Sequence, residues 1–313
     1  MEKKKIGVWL PFRKGMVSVT YETPGALVEQ VRNGFVQALA KHGQADIIEI
    51  GDFRRARIES GKPTLEGTNL EELDAFVWFG EIGRDVRREH NLEILRAIEK
   101  SATVINCTFG YETAMDKFLT SSFLSEKGVK VPKFMLVGRE NSEAAAQVLK
   151  SWGSVLLKPR LGSYGIGIVK LDKPQDIVDF TDYCPSMLHF VEEFVPNDPA
   201  SWIGVNVIGG KHAYSYRKGK ESFHDGWKVF DRKSVGGKMI LAKPTERQIE
   251  IALKVADMLR MDWVGVDMVT DAQGEHYVID VNAFPGLYPE MFAQAGVDGP
   301  KMMSDAVFAR LGI

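Results

Sequence analysis

The sequence predicts a mixed architecture, part α/β and part α+β: an N-terminal parallel sheet covered by helices, then a small α+β unit and a last unit that is mostly strands. Three observations carry this reading. Short apolar runs alternate with helical periodicity through the first third of the chain. In the middle, a glycine-rich segment separates two apolar runs, as in a hairpin. Near the end, two apolar runs that both contain a carboxylate flank a turn signal. The expected division is 1–112, 113–190 and 191–313.

In the first unit, Ile6–Leu10 reads as a buried strand, and Leu27, Val28, Val31, Phe35, Ala38 and Leu39 recur at helical spacing. Ile47–Ile50, Phe76–Phe79 and Val104–Asn106 read as further strands, with a helix through Leu92, Ile94, Leu95 and Ile98. Strands alternating with helices predict parallel pairing, and ligands of such sheets bind beyond the strands' carboxyl ends. Those ends lead into Pro11–Tyr21, Gly80–Arg88 and Cys107–Tyr111. There Arg13, Lys14, Arg84, Arg87 and Arg88 either meet an anionic substrate or are simply solvated, and Tyr21 and Glu22 are candidates for a substrate site. In the second unit, Asp116–Lys127 reads as a helix closed by Gly128. A strand at Phe134–Val137, a helix at Ser142–Lys150, the hairpin and a helix at Pro174–Tyr183 follow. The last unit is mostly strands, at His189–Phe194, Ile203–Ile208, Ala213–Arg217, Val264–Thr270 and Tyr277–Asn282. Helices are expected at Glu246–Leu259, with Thr245 as N-cap, and near Pro300–Arg310.

Composition narrows the function classes. The 313 residues carry 40 Lys and Arg against 42 Asp and Glu, so no global charge points to nucleic acid or a membrane surface. No apolar run is long enough to span a bilayer, and the strand-like start of the chain lacks a signal-peptide core. Cys107 and Cys184 are the only cysteines, which predicts a reducing, cytoplasmic setting and no zinc cluster.

The hairpin reads Lys158-Pro159-Arg160-Leu161-Gly162-Ser163-Tyr164-Gly165-Ile166-Gly167. Closely spaced glycines let backbone N–H groups approach phosphate oxygens, and a lysine at the edge adds a point charge for them. The segment ends in a strand, whereas the P-loop and the dinucleotide fingerprint both open a helix. The late pair of runs, Val264 to Val269 and Tyr277 to Asn282, reads as an antiparallel hairpin across Asp271-Ala272-Gln273-Gly274. Asp280 and Asn282 leave the same face, and Asp267 can stand opposite them on the neighbouring strand. Carboxylates converging in an apolar setting are costly without a cation, and hard oxygen ligands suit Mg²⁺. The plainer alternative is two solvated carboxylates at strand ends, which their embedding in apolar runs disfavours.

At these residues the chain resembles the ATP-grasp superfamily, a fold preceded in many members by a parallel-sheet (pre-ATP-grasp) domain. The glycine-rich hairpin and Asp280-Val-Asn-Ala-Phe-Pro-Gly286 are similar to two of its motifs. Met115-Asp-Lys117, Val191-Glu-Glu-Phe-Val195 and Gly265-Val-Asp267 match others, in order, from roughly Thr108 onward. The nearest branch is the carboxylate–amine ligases that include ribosomal-protein glutamate ligases. The resemblance implies that Lys117 and Lys158 contact ATP phosphates, and that Gly162, Ser163, Tyr164, Gly165, Ile166 and Gly167 form the flap over them. It implies that Glu192, Glu193, Phe194 and Val195 hold the adenine edge, and that Asp267, Asp280 and Asn282 bind Mg²⁺, with Mn²⁺ as an alternative. Arg217 matches a basic residue that neutralises the transferred phosphoryl group, beside Lys158. Two departures stand out. Trp202 occupies the place of an acidic ribose ligand, leaving Asp198 as the nearest carboxylate, and Asp280 replaces the commoner glutamate.

The implied activity is ATP-dependent ligation of a small-molecule carboxylate and an amine, an amino acid or peptide, through an acyl phosphate, with release of ADP and phosphate. A homo-oligomer is left open. The alternatives are an ATP-grasp small-molecule kinase and a non-catalytic nucleotide-binding regulatory protein. Trp227 and Lys228, in the polar stretch after Arg217, are expected to contact the acceptor.

Overall fold

The computed structural model describes residues 3–10, 25–80, 82, 86–162, 165–184, 187–219, 223–225, 227–229 and 239–313. The first sheet is parallel, in the order β2-β1-β6-β7, from β1 (Lys4–Trp9), β2 (Ala45–Glu49), β6 (Ala75–Trp78) and β7 (Thr103–Ile105). All four residues of β6 are buried, as a strand covered on both faces requires. The helices α1 (Gly25–Lys41) and α2 (Val86–Ile98) belong to this unit. Between β2 and β6, three short strands, β3 (Arg57–Glu59), β4 (Lys62–Leu65) and β5 (Thr68–Asn69), form a small antiparallel sheet absent from the sequence expectation. Its flanking Phe53 stacks at 5.3 Å from Trp9 and 5.0 Å from Phe76, so the insertion seals one side of the first core.

The helix α3 (Thr108–Met115) takes up the stretch expected to be a ligand-edge loop, with Cys107 as its N-cap. Next, α4 (Lys117–Glu126) starts at the N-cap Asp116, whose Oδ1 accepts from the N–H groups of Phe118 (3.0 Å) and Leu119 (3.2 Å). The second sheet is antiparallel, in the order β10-β9-β11-β8, from β8 (Phe134–Val137), β9 (Val155–Lys158), β10 (Val169–Leu171) and β11 (His189–Glu193). Because β11 runs to Glu193 in this sheet, the expected division after residue 190 falls inside a strand. The helices α5 (Ser142–Trp152) and α6 (Pro174–Tyr183) bury Ala145, Leu149 and Ile177 against Val137, Val155, Leu157 and Val191.

The third sheet is also antiparallel, in the order β16-β13-β12-β17-β18. It comprises β12 (Ile203–Ile208), β13 (Lys211–Lys218), β16 (Met239–Ala242), β17 (Trp263–Thr270) and β18 (His276–Asn282). A two-strand ribbon, β14 (Phe223–His224) and β15 (Lys228–Val229), lies between β13 and β16. One face of the sheet buries Val205, Val207, Val264 and Val266 in a core shared with Ala252, Val255 and Ala256 of α7 (Glu246–Met258). That helix starts at a capping box in which the Thr245 and Gln248 side chains each accept the other's backbone N–H. The helices α8 (Pro289–Ala295) and α9 (Gly299–Leu311) close the chain, with Phe292, Val307 and Phe308 buried beside Phe35 and Leu39 of α1.

Asn106 joins the first and third sheets. Its fully buried amide donates to the carbonyls of Trp263 and Ala283, both at 2.7 Å. Its Oδ1 accepts from the N–H groups of Asp262 (2.9 Å) and Trp263 (3.1 Å).

Candidate functional site

Strand register places the candidate metal ligands. Directly paired residues of an antiparallel sheet share a face. One row runs Tyr216, Gly204, Asp267, Asp280, and the adjacent row runs Tyr214, Asn206, Gly265, Asn282. Asp267, Asp280 and Asn282 therefore share the face turned away from α7. A bulge between Asp267 and Met268 shifts the ladder, so Met268 pairs with Val278 while Asp280 keeps its place opposite Asp267. Both rows contain a glycine with close neighbours. A Cβ at Gly204 would stand 2.7 Å from the Tyr216 ring and 3.0 Å from Asp267 Oδ1, and one at Gly265 would stand 3.0 Å from Asn206 Oδ1.

Asn282 Nδ2 donates to Asp267 Oδ2 at 3.3 Å, while Asp267 Oδ1 is shut off from solvent with no hydrogen-bond partner. Burial, and then the neighbouring charge of Asp280, push the Asp267 carboxyl up to about 7. An orphaned carboxylate oxygen beside a second carboxylate and an amide is a donor set that fits a hard divalent ion. Among the described residues no cluster of three or more His, Cys, Asp or Glu side chains has metal-binding geometry.

Two buried lysines are each paired with a carboxylate. Lys117 Nζ lies 2.8 Å from Asp280 Oδ1. Lys158, at the end of β9, pairs with Glu192 of β11 at 2.5 Å, and both side chains are at most 5% exposed. Burial raises the Glu192 carboxyl, opposed by the adjacent ammonium. The start of the glycine-rich hairpin is anchored to the start of α4. Lys117 N–H donates to Arg160 O at 3.0 Å, and Arg160 Nε donates to Asp116 Oδ2 at 2.6 Å. Neither Asp116 nor Arg160 was identifiable as a site residue in the sequence; Asp116 was legible only as a helix start.

In the hairpin, Gly165 and Gly167 adopt positive φ (69° and 76°), and a Cβ at Gly167 would meet Pro159 Cγ at 2.7 Å. Gly162 and the partly exposed Ile166 frame the turn. Ser163 and Tyr164 lie outside the described residues, as do Arg13, Lys14, Tyr21, Glu22 and Arg84.

Several other expected site residues make local contacts. Glu193 leaves β11 on the face opposite Glu192, its Oε1 3.1 Å from Lys133 Nζ. The N–H groups of Glu193 and Phe194 donate to the carbonyls of Lys133 and Ser154. Phe194 presents its ring to Trp227 (5.9 Å between centroids) and to Lys170 Nζ (4.4 Å). Val195 is buried with Trp202 and Val269. Asp198 is exposed and accepts the Ala200 N–H at 2.8 Å as the cap of a short 3-10 turn, so its carboxylate serves the local backbone. Of Trp227 and Lys228, expected at the acceptor, Trp227 packs on Phe194 and Lys228 Nζ donates to Ile168 O at 2.6 Å.

Arg217 needs a correction. Tyr216 and Lys218 share the face of Asp267, so the intervening Arg217, paired with Ile240 and exposed, leaves the other face of β13. The cation on the carboxylate face is Lys218. It is buried, 5.4 Å from the Trp202 ring and 5.5 Å from the Tyr216 ring, and its charge draws the Asp267 carboxyl down against burial. The sequence signal for it was the alternation of β13 relative to Gly204 and Asp267, which needs the register to be known.

Fold and site together set a glycine-rich hairpin on one antiparallel sheet against a carboxylate face on another, linked through the start of α4. Residues 114–307, more than half of the chain, match the RimK-like ATP-grasp domain, and the chain belongs to that family. It is 31% identical over 204 residues to a probable alpha-L-glutamate ligase of Histophilus somni, covering 64% of this chain and 65% of that one. The match thus spans just under two thirds of the ligase's own length. The fold is similar to the ATP-grasp ligase PsnB complexed with minimal precursor, Mg and ADP, with a TM-score of 0.67 at 15% identity over 99% of this chain and 98% of that one. It is also similar to the D-alanine–D-alanine ligase of Bacillus anthracis complexed with ATP, with a TM-score of 0.64 at 16% identity over 100% and 99% of the chains.

Proposed function

We propose that the protein is an ATP-dependent carboxylate–amine ligase that uses Mg²⁺, with Mn²⁺ as an alternative ion. The observation that carries this reading is the convergence of Asp267, Asp280 and Asn282 with Lys117, at the foot of a glycine-rich hairpin. Membership of the RimK-like ATP-grasp family and the names of its relatives support the reaction class. Asp267, Asp280 and Asn282 would hold the ion, which supplies charge neutralisation at the phosphate oxygens.

The remaining chemistry belongs to the chain's own groups. Lys117 and Lys158 bind the triphosphate, and the backbone of Gly162, Gly165 and Gly167 lies over it. The substrate carboxylate attacks the γ-phosphorus and ADP leaves. The amine then attacks the carbonyl carbon of the acyl phosphate, phosphate leaves, and an amide is formed. Lys218 stands on the carboxylate face where charge develops on the transferred group. The hairpin keeps water from the acyl phosphate while the amine approaches. The cytoplasm is the proposed compartment; among the described residues no helix is long and apolar enough to cross a membrane.

Incubation with ATP, Mg²⁺ and pooled amino acids tests the reading. Release of ADP and phosphate that requires both a carboxylate and an amine supports ligation. ADP without free phosphate would instead make the protein a kinase, and no turnover with intact nucleotide binding would make it a regulatory protein. Asp280→Asn is expected to abolish turnover while leaving the far-UV circular dichroism unchanged.

A further inference from the structure

Lys117 is held to the ion site from two sides. Its backbone is fixed as the first residue of α4, with its N–H on Arg160 O, while its ammonium reaches across to Asp280 Oδ1 at 2.8 Å. The side chain is 9% exposed, so the contact is made inside the protein and little screened by water. Asp280 is the residue directly opposite Asp267, so the ammonium sits at the edge of the same pair of carboxylates that would grip a divalent cation. An ammonium and a divalent ion cannot share one carboxylate oxygen at contact distance without strong repulsion. Lys158 is parked in the same way, on Glu192.

We propose that Lys117 is an internal cation that takes the metal's place at Asp280 in the nucleotide-free protein and yields it when phosphate draws the ammonium away. This inference rests on Asp280 being a metal ligand, as proposed above. It makes metal and nucleotide binding reciprocal: each raises the other's affinity by the same factor, and Lys117 carries part of the coupling. The four-carbon stem of lysine, anchored at its backbone, permits the swing without movement of α4.

Binding of Mn²⁺ alone to the nucleotide-free protein, followed by the paramagnetic resonance of free Mn²⁺, tests this without turnover. Lys117→Met is expected to bind Mn²⁺ at least about tenfold more tightly than the wild type, and Lys117→Arg to stay near the wild type. Lys117→Gln, uncharged but polar, replaces the methionine variant if the latter does not fold by circular dichroism. Adding Asp280→Asn to the neutral variant is expected to erase the gain. ADP is expected to raise Mn²⁺ affinity more in the wild type than in the neutral variant. Unchanged Mn²⁺ affinity in both neutral variants, with affinity still lost in Asp280→Asn, would overturn the internal-cation role and leave the metal site standing. Mn²⁺ binding indifferent to Asp280→Asn in every background would overturn the metal site and the proposal with it.

Discussion

Asn106→Ala should destabilise the whole molecule although Asn106 touches no candidate ligand. The amide makes four hydrogen bonds, to two carbonyls and two N–H groups of Asp262, Trp263 and Ala283, in a fully buried position. Truncation strands all four groups away from water. At about 1–1.5 kcal/mol for each stranded group, the loss is roughly 4–6 kcal/mol, a large share of the ~5–15 kcal/mol that holds a typical domain together. For a chain of this length, at about 2 °C per kcal/mol, that is a fall of roughly 10 °C in Tm. The backbone carbonyl of Asn106, which accepts from Trp78 Nε1 at 2.8 Å, is kept in the variant. Asn106→Asp retains the two acceptor contacts but turns an oxygen toward the carbonyls of Trp263 and Ala283, so its loss should be at least as large. Melting followed by circular dichroism and by tryptophan fluorescence measures both variants and shows whether the sheets unfold together. A fall below 2 °C for Asn106→Ala would mean that neighbouring backbone or water takes over the four bonds, and the joint would not be the one described.

Other perturbations probe separate parts of the molecule. Glu192→Gln leaves Lys158 buried without its counter-charge and should destabilise the protein by about 3–5 kcal/mol, whereas Lys158→Met combined with Glu192→Gln should lose clearly less; urea titration of the two variants distinguishes them. Burial pushes the Asp262 carboxyl up to about 6 against the pull of Arg310. The native state therefore holds this proton more tightly than the unfolded chain, and stability declines as pH rises from about 4 to about 6, by roughly 3 kcal/mol. Asp262→Asn should remove that decline, so its Tm advantage over the wild type should be small at pH 4 and clearly larger at pH 8. Lys218→Met should lower turnover by about 10²–10³, while Arg217→Met should stay within about twofold; steady-state ADP release decides between them. Trp227→Ala should lower stability by ~1 kcal/mol, the worth of the lost aromatic pair with Phe194, as read by urea titration.

Local chemistry made most of the architecture legible, and non-local contacts account for the rest. The strand at Phe76–Phe79, the helix starting at Asp116 and the capping box at Thr245 each follow from a few neighbouring residues, and the structure places them within one or two positions. The hairpin that brings Asp267 opposite Asp280 was visible because both strands and their turn are contiguous. By contrast, β3 to β5 are two to four residues long with no clean alternation, and β14 and β15 have two residues each; such segments exist only because of what they pack on. Asn106 reads locally as a strand end, yet its partners lie 156 to 177 residues away.

Arg217 was matched by its position in a motif, an argument that fixes no direction. In a strand, direction is a matter of parity, and one residue separates the α7 face from the carboxylate face. Two bulges lie in these ladders, one between Asp267 and Met268 and one between Asn206 and Val207. Each shifts the pairing of everything beyond it, so alternation counted along the sequence cannot be carried across the sheet. The row Tyr216, Gly204, Asp267, Asp280 lies on the side of both bulges where the register is unbroken, and within it the parity is unambiguous. Lys218 follows Tyr216 by two residues and inherits its face. If activity tracked Arg217 instead, β13 would have to pair one residue out of register. Tyr216 would then leave Gly204, and the close approach that excludes a side chain at residue 204 would vanish. A Gly204→Ala variant that folds and binds nucleotide as well as the wild type would point to that alternative register, whereas loss of nucleotide-dependent Mn²⁺ binding would support the pairing seen here.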